Sequence, residues 1–154
     1  MSEWIRRLRS QIGSELIFVN SAGGWIEDDH GRVLLQRRTR DCEVWGFPGG
    51  VMELGEAAHE TAVRELREET GLEVDPISLI GIYTKYFQTL ENGDQCQCVA
   101  FMFRMRIVGG ALTVDNEETF ELQFFDKDAM PPLYSEQHRQ IALDALSGTG
   151  PYFR

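Results

Sequence analysis

Between Gln95 and Val108 the chain reads QCQCVAFMFRMRIV, and its extended form has two largely apolar faces. Val99, Phe101, Phe103, Met105 and Ile107 fall on one side, and Cys96, Cys98, Ala100 and Met102 on the other. A strand at the edge of a sheet, or with one face in water, would show polar residues on alternate positions. This one must lie inside a sheet that is covered on both faces. That requirement calls for helical segments on either side, and the stripes Ala58, Ala62, Leu66 and Ile141, Ala142, Ala145, Leu146 suit two of the helical stretches below to it.

Trp4, Ile5, Leu8 and Ile12 recur at helical spacing with Arg6, Arg7 and Arg9 on the opposite side, so residues 1–13 read as an amphipathic helix closed by Gly13. Leu16 to Ile26 reads as a strand in which Gly23 and Gly24 let another backbone or a ligand approach. The turn Asp28-Asp29-His30-Gly31 and the run Val33-Leu34-Leu35 predict a hairpin with that strand. A helix is expected from about Glu56 to Thr70. Strands follow at Ser78 to Phe87, Gln95 to Val108 and Glu121 to Phe125, and Ser135 caps a last helix that ends at Gly148. A single α/β domain over residues 1–154, with a mixed central sheet between helices, is the simplest architecture.

At 154 residues the chain is long enough to hide roughly 70% of its unfolded surface. It has no apolar run of the length a membrane span needs, and its N-terminal stretch lacks the continuous apolar core of a secretory signal. The cytoplasm is therefore the expected compartment. Three cysteines, two of them only two residues apart, suggest reduced thiols. A net charge of -10 argues against binding a nucleic acid polymer, which needs a basic face to release counterions.

The helix before Gly71 raises a physical problem. In RELREETGL, Glu65, Glu68 and Glu69 sit at i, i+3 and i+4, so three carboxylates converge on one face. At 4 Å, two such charges repel by about 4 kcal/mol for an effective dielectric near 20. Either the three are simply solvated or a hard cation offsets them, since Mg²⁺ takes oxygen ligands and shares them with substrate phosphates. Arg64 lies four residues from both Glu60 and Glu68, which places it on the flank of the cluster. Crowding alone also predicts that neutralising Glu68 or Glu69 leaves the metal-free fold intact or slightly more stable.

Upstream residues complete a longer pattern. Gly50, Glu56 after five intervening residues, and Arg64-Glu65-Leu66-Arg67-Glu68-Glu69-Thr70-Gly71-Leu72 after seven more match G-x5-E-x7-R-E-U-x-E-E-x-G-U, U being aliphatic. This is the Nudix box, here residues 50–72 with all nine specified positions filled. The sequence resembles the Nudix hydrolase family, and LLQRR, WGFPGG and ETFELQFFDKDAMPPL look like further family segments. The resemblance implies a Nudix-type α/β/α sandwich that cleaves a pyrophosphate bond in a nucleoside diphosphate-linked or nucleotide substrate, using water activated by Mg²⁺ or Mn²⁺. It implies that Glu65, Glu68 and Glu69 bind metal, that the Gly50 carbonyl adds a ligand, and that Glu56 supports the loop or reaches the metal through water. Arg64 would orient a catalytic glutamate. The base itself is left open between Glu65 on the helix and Glu118 ahead of the last strand, with Glu117 and Glu121 close by.

Substrate identity lies outside the box. The downstream proline or tyrosine that marks two known subfamilies would fall where Phe87 and Gln88 stand, and neither position carries it. Arg37, Arg38 and Arg40 are candidates to clamp phosphate, and Tyr83, Tyr86 and Phe87 to stack a base, against the plainer readings of solvated arginines and core aromatics. His30, His59 and His138 show no ligand spacing and read as turn or surface residues. The apolar face of Trp4, Ile5 and Leu8 either packs on its own domain or builds a homodimer. Two other functional classes stand beside the enzyme. A non-catalytic nucleotide-binding regulatory module of the same fold is expected to show an eroded box, and an isomerase of that fold would need further acid and base residues not evident here.

Overall fold

The computed structural model describes residues 3–38, 43–89, 92–114 and 119–154. In chain order the elements are α1 (Glu3–Ile12), β1 (Ile17–Ile26), β2 (Val33–Arg37), β3 (Gly49–Val51) and α2 (Ala58–Thr70). They continue with β4 (Leu72–Thr89), β5 (Gln95–Gly110), β6 (Glu121–Phe125), α3 (Glu136–Ser147) and β7 (Tyr152–Phe153).

Five strands form a mixed sheet in the order β3-β1-β5-β4-β7, with β5 at its centre as the two apolar faces require. β1 runs parallel to β5, and β4 antiparallel. On one face α2 buries Ala62 and Leu66 against Ala22, Ile26 and Met105. On the other, α3 sets Ile141, Ala142 and Ala145 against Ala100, Met102 and Tyr83. The α1 helix covers the end of that second face, where Ile5 packs on Val19, Cys96 and Cys98. Its Trp4 indole N–H donates to the Met52 carbonyl, so the apolar side of α1 is used within the chain. Arg9 is not on a solvated side. It is 8% exposed and reaches the Glu15 and Gln95 carbonyls and Asp94.

The glycines inside β1 act through close approach. A Cβ on Gly24 would lie 2.6 Å from the Leu66 side chain, and one on Gly23 would lie 2.6 Å from the Pro48 carbonyl. Their absence lets α2 and the 45–51 loop settle directly on the strand.

Two expectations change. The Asp28 turn forms, its carboxylate accepting from the His30 and Arg32 amides, but β1 and β2 do not make a hairpin within one sheet. β2 instead pairs antiparallel with β6 in a separate two-stranded sheet. Val33, Leu34 and Leu35 are all fully buried because the first and third face the α3 core while the middle one faces the α2 core. A strand covered on both sides belongs between the layers. The second change is in β4, which starts at Leu72 rather than Ser78 and accommodates Pro76 at a register shift. β7, only two residues long, gives no periodic signal in the sequence. Among the described residues no helix is long and apolar enough to cross a membrane.

Candidate active site

The 45–51 loop is held from three directions. Gly46 exchanges backbone hydrogen bonds with Gln36, Trp45 pairs with Pro132 and Tyr134, and Gly49 and Gly50 pair with Gly23 and Ala22 as β3. This rigid segment faces the acidic side of α2. Glu69, 2% exposed, accepts the Gly49 N–H at 2.7 Å and meets Arg38 at 2.6 Å. Glu65 presses its carboxylate against the Gly50 backbone so closely that a Cβ there would lie 2.3 Å from it. Only glycine leaves that space. Glu68 stays outermost, its side chain 61% exposed.

Arg64 lies within the cluster rather than on its flank. Its guanidinium donates to both Glu56 oxygens at 2.6 and 2.9 Å, to Glu65 at 2.7 Å and to Glu68 at 3.2 Å. Glu60 serves a different end, accepting the Ala57 N–H at the start of α2. The two arginines therefore absorb much of the repulsion that the sequence pattern implied. Glu56 also accepts the Glu53 amide and the Thr61 hydroxyl, and Arg64 holds its carboxyl down at about 2. With both oxygens engaged, Glu56 ties the loop to the helix. Glu65 responds oppositely: burial pushes its carboxyl above the ordinary carboxylate value, against the pull of Arg64 and with Glu68 adding repulsion.

Among the described residues no three His, Cys, Asp or Glu side chains form a ready-made cation cage. The donor chemistry nonetheless fits a hard divalent ion. Glu65, Glu68, Glu69 and Gly50 offer oxygen donors around one opening, and Mg²⁺ commonly takes only one or two carboxylates, completing its shell with water and phosphate.

That opening leads into a cavity of about 800 Å³ lined by Glu53, Glu65, Glu68, Glu69, Arg38 and the Gly49–Gly50 backbone. The remaining expected residues separate. Arg37 turns away to pair with Glu121, its guanidinium 6.0 Å from the Trp45 ring. Tyr83 does not reach the cavity. It is fully buried and donates its hydroxyl to Asp144, as a core aromatic. Phe87 is 60% exposed, and its neighbour Gln88 lines the cavity instead, because adjacent strand residues face opposite ways. Glu118 lies outside the described residues, as do Glu117, Arg40 and Cys42. Cys96 and Cys98 are buried free thiols on the cavity floor.

Sequence reasoning missed Tyr134, Gln137 and His138, which also line the cavity. Their only sequence signal was Ser135 as an N-cap, which puts all three at one helix start. His138 is not a surface residue. It is 8% exposed, accepts the Phe47 N–H at Nδ1 and stacks on the Phe47 ring. Burial, with the Arg38 cation nearby, lowers its imidazole from 6.5 to about 3. Between those values the unfolded chain holds a proton that the folded one lacks. Stability from this site is complete above pH 6.5 and falls as the pH drops toward 3, by about 1.4 kcal/mol per unit. His138→Gln, whose amide oxygen keeps an acceptor for Phe47, is expected to flatten urea-unfolding stability between pH 6.5 and 4.5. An unchanged slope would assign the pH dependence to other groups.

A family model described as the NUDIX domain matches residues 18–145. A MutT-like protein of Streptomyces ambofaciens is 33% identical over 134 residues, covering 87% of this chain and 80% of its own. An ADP-ribose pyrophosphatase of Methanocaldococcus jannaschii is 31% identical over 124 residues, covering 80% and 70% respectively. A crystal structure of a UDP-X diphosphatase superposes with a TM-score of 0.70 at 23% identity, over 99% of this chain and 74% of that one. The last shares the fold.

Proposed function

The chain belongs to the Nudix hydrolase family, and from that premise we propose that it hydrolyses a pyrophosphate bond in a nucleotide or a nucleoside diphosphate derivative, with Mg²⁺ or Mn²⁺. The observation that carries this reading is the meeting of Glu65, Glu68, Glu69, the Gly49–Gly50 backbone and Arg38 on the wall of one cavity. Glu65, Glu68, Glu69 and the Gly50 carbonyl would hold the cation. When bound, it neutralises phosphate oxygens and lowers the pKa of an attacking water.

The chain's own groups supply the rest. Arg38, its side chain 43% exposed, brings a planar cation suited to phosphate oxygens to the cavity wall. Glu65 is one candidate to take the proton from the attacking water, and Arg64, donating to it at 2.7 Å, keeps its carboxylate aimed. Glu118 remains the alternative base. Glu65→Gln is expected to slow turnover if the proton goes to the helix, and Glu118→Gln, with little change in metal affinity, if it goes to the segment before β6.

A panel of nucleoside diphosphate derivatives and nucleoside triphosphates, assayed with Mg²⁺ and with Mn²⁺, tests the activity. Hydrolysis of none by folded protein would replace this reading with that of a nucleotide-binding regulatory module. Turnover in ¹⁸O-labelled water is expected to place the label in a phosphate-containing product, through attack at phosphorus without a covalent enzyme intermediate. Label found only in a non-phosphate product would rule that route out.

A further inference from the structure

The same cavity is walled by Gln88 from β4 and by Tyr134, Gln137 and His138 at the start of α3, none of which the hydrolytic step uses. Gln137 is 3% exposed. Its carbonyl oxygen accepts from the Gln88 amide at 3.2 Å, which fixes the side chain and leaves its amide nitrogen as the remaining polar end. That nitrogen is buried and has no hydrogen-bond partner. A buried donor left unmet works against folding, so its retention on a cavity wall points to a ligand.

His138 adds a second donor. Its Nδ1 is occupied by the Phe47 N–H, and the imidazole is neutral in its buried position, so the ring proton resides on Nε2. Both residues line the cavity and the acceptor atom of each is already engaged inside the protein, so the polar group left to each is an N–H. Beside them the Tyr134 ring, centred 4.3 Å from the His138 ring and 44% exposed, presents an aromatic face of the kind on which bases stack.

We infer that this wall is a base-reading subsite for a keto base, one with an oxygen acceptor where adenine and cytosine carry an amino group, recognised by Gln137 Nε2 and His138 Nε2. The inference rests on the proposed action on nucleotides and narrows the substrate class to guanine-, hypoxanthine- or uracil-type derivatives. An amino group at that position would bring a donor against two donors and leave the Gln137 nitrogen unmet.

Inosine and adenosine nucleotides differ only around purine position 6 and make the cleanest pair. By calorimetry with Mg²⁺ present, the protein is expected to bind IDP at least about tenfold more tightly than ADP. Gln137→Met, close in length but without donors, is expected to bring the ratio near one. Gln137→Glu, which substitutes an acceptor, is expected to shift it toward ADP, and a thermal melt of each variant reports folding. Equal affinities in the unsubstituted protein, binding of neither, or a ratio unmoved by both substitutions would overturn the inference. ITP and ATP assayed for hydrolysis separate the two levels. Equal hydrolysis of both defeats the base-reading subsite alone, whereas a retained IDP preference with no hydrolysis of either defeats only the proposed reaction.

Discussion

Glu69→Gln is expected to reduce kcat/KM by more than about 100-fold, beyond the roughly 10- to 100-fold typical of groups that merely orient a metal ligand. It is also expected to lower the melting temperature of the metal-free protein. Charge crowding along α2 taken alone gives the opposite sign for stability. The structure reverses it because Glu69 is 2% exposed and already compensated by Arg38 at 2.6 Å and the Gly49 N–H at 2.7 Å. A glutamine keeps an acceptor for Gly49 but gives Arg38 only a neutral partner. The loss is about 1–2 kcal/mol, moderated because Arg38 reaches solvent, or a few degrees for a chain of this size. Glu68→Gln should cut activity with stability almost unchanged, since that side chain is 61% exposed. Melts in EDTA and in Mg²⁺ separate the roles: added cation stabilises the unsubstituted protein by linkage and should do so less for Glu69→Gln. Full turnover in that variant would leave Glu69 a purely structural residue.

The second large effect is expected at Arg64. Replacing it by lysine keeps one positive charge but removes the planar fork that grips both Glu56 oxygens while reaching Glu65 and Glu68. Arg64→Lys should therefore destabilise the fold by about 2 kcal/mol, with both partners partly exposed, and lower kcat by roughly 100-fold through misplacement of Glu65. The acid limb carries a specific signature. Glu56 titrates at about 2 in the folded protein against 4.5 for an ordinary glutamate. Its contribution is complete above pH 4.5 and lost as the pH falls toward 2, because the unfolded chain takes up the proton first. Urea titrations at pH 7 and pH 3 should show a smaller acid loss in Arg64→Lys than in the unsubstituted protein. A double-mutant cycle with Glu56→Gln should return a coupling well above the 0.3–0.5 kcal/mol or so expected of independent sites. A purely additive result would mean the bidentate pair does not hold the loop.

Periodicity in the sequence determined a good deal. The two-faced apolar run at Gln95 to Val108 required a central strand, and β5 occupies the middle of the five-stranded sheet. The spacing of Glu65, Glu68 and Glu69 put three carboxylates on one side of α2, and glycines at positions 23 and 24 announced the close approach of another element. Each of these follows from backbone geometry acting over a few residues. Tertiary structure alone decided that β2 leaves β1 for β6, that Arg64 enters the acidic cluster, and that Glu56 is consumed by the loop. It also decided that Tyr83 serves the core, and that the cavity takes Gln88 in place of Phe87 and gains Gln137 and His138 from α3. A local pattern states which side of its own element a side chain occupies. What covers that side is decided by segments distant in the chain, and whether a charge is solvated, paired or buried depends on that cover.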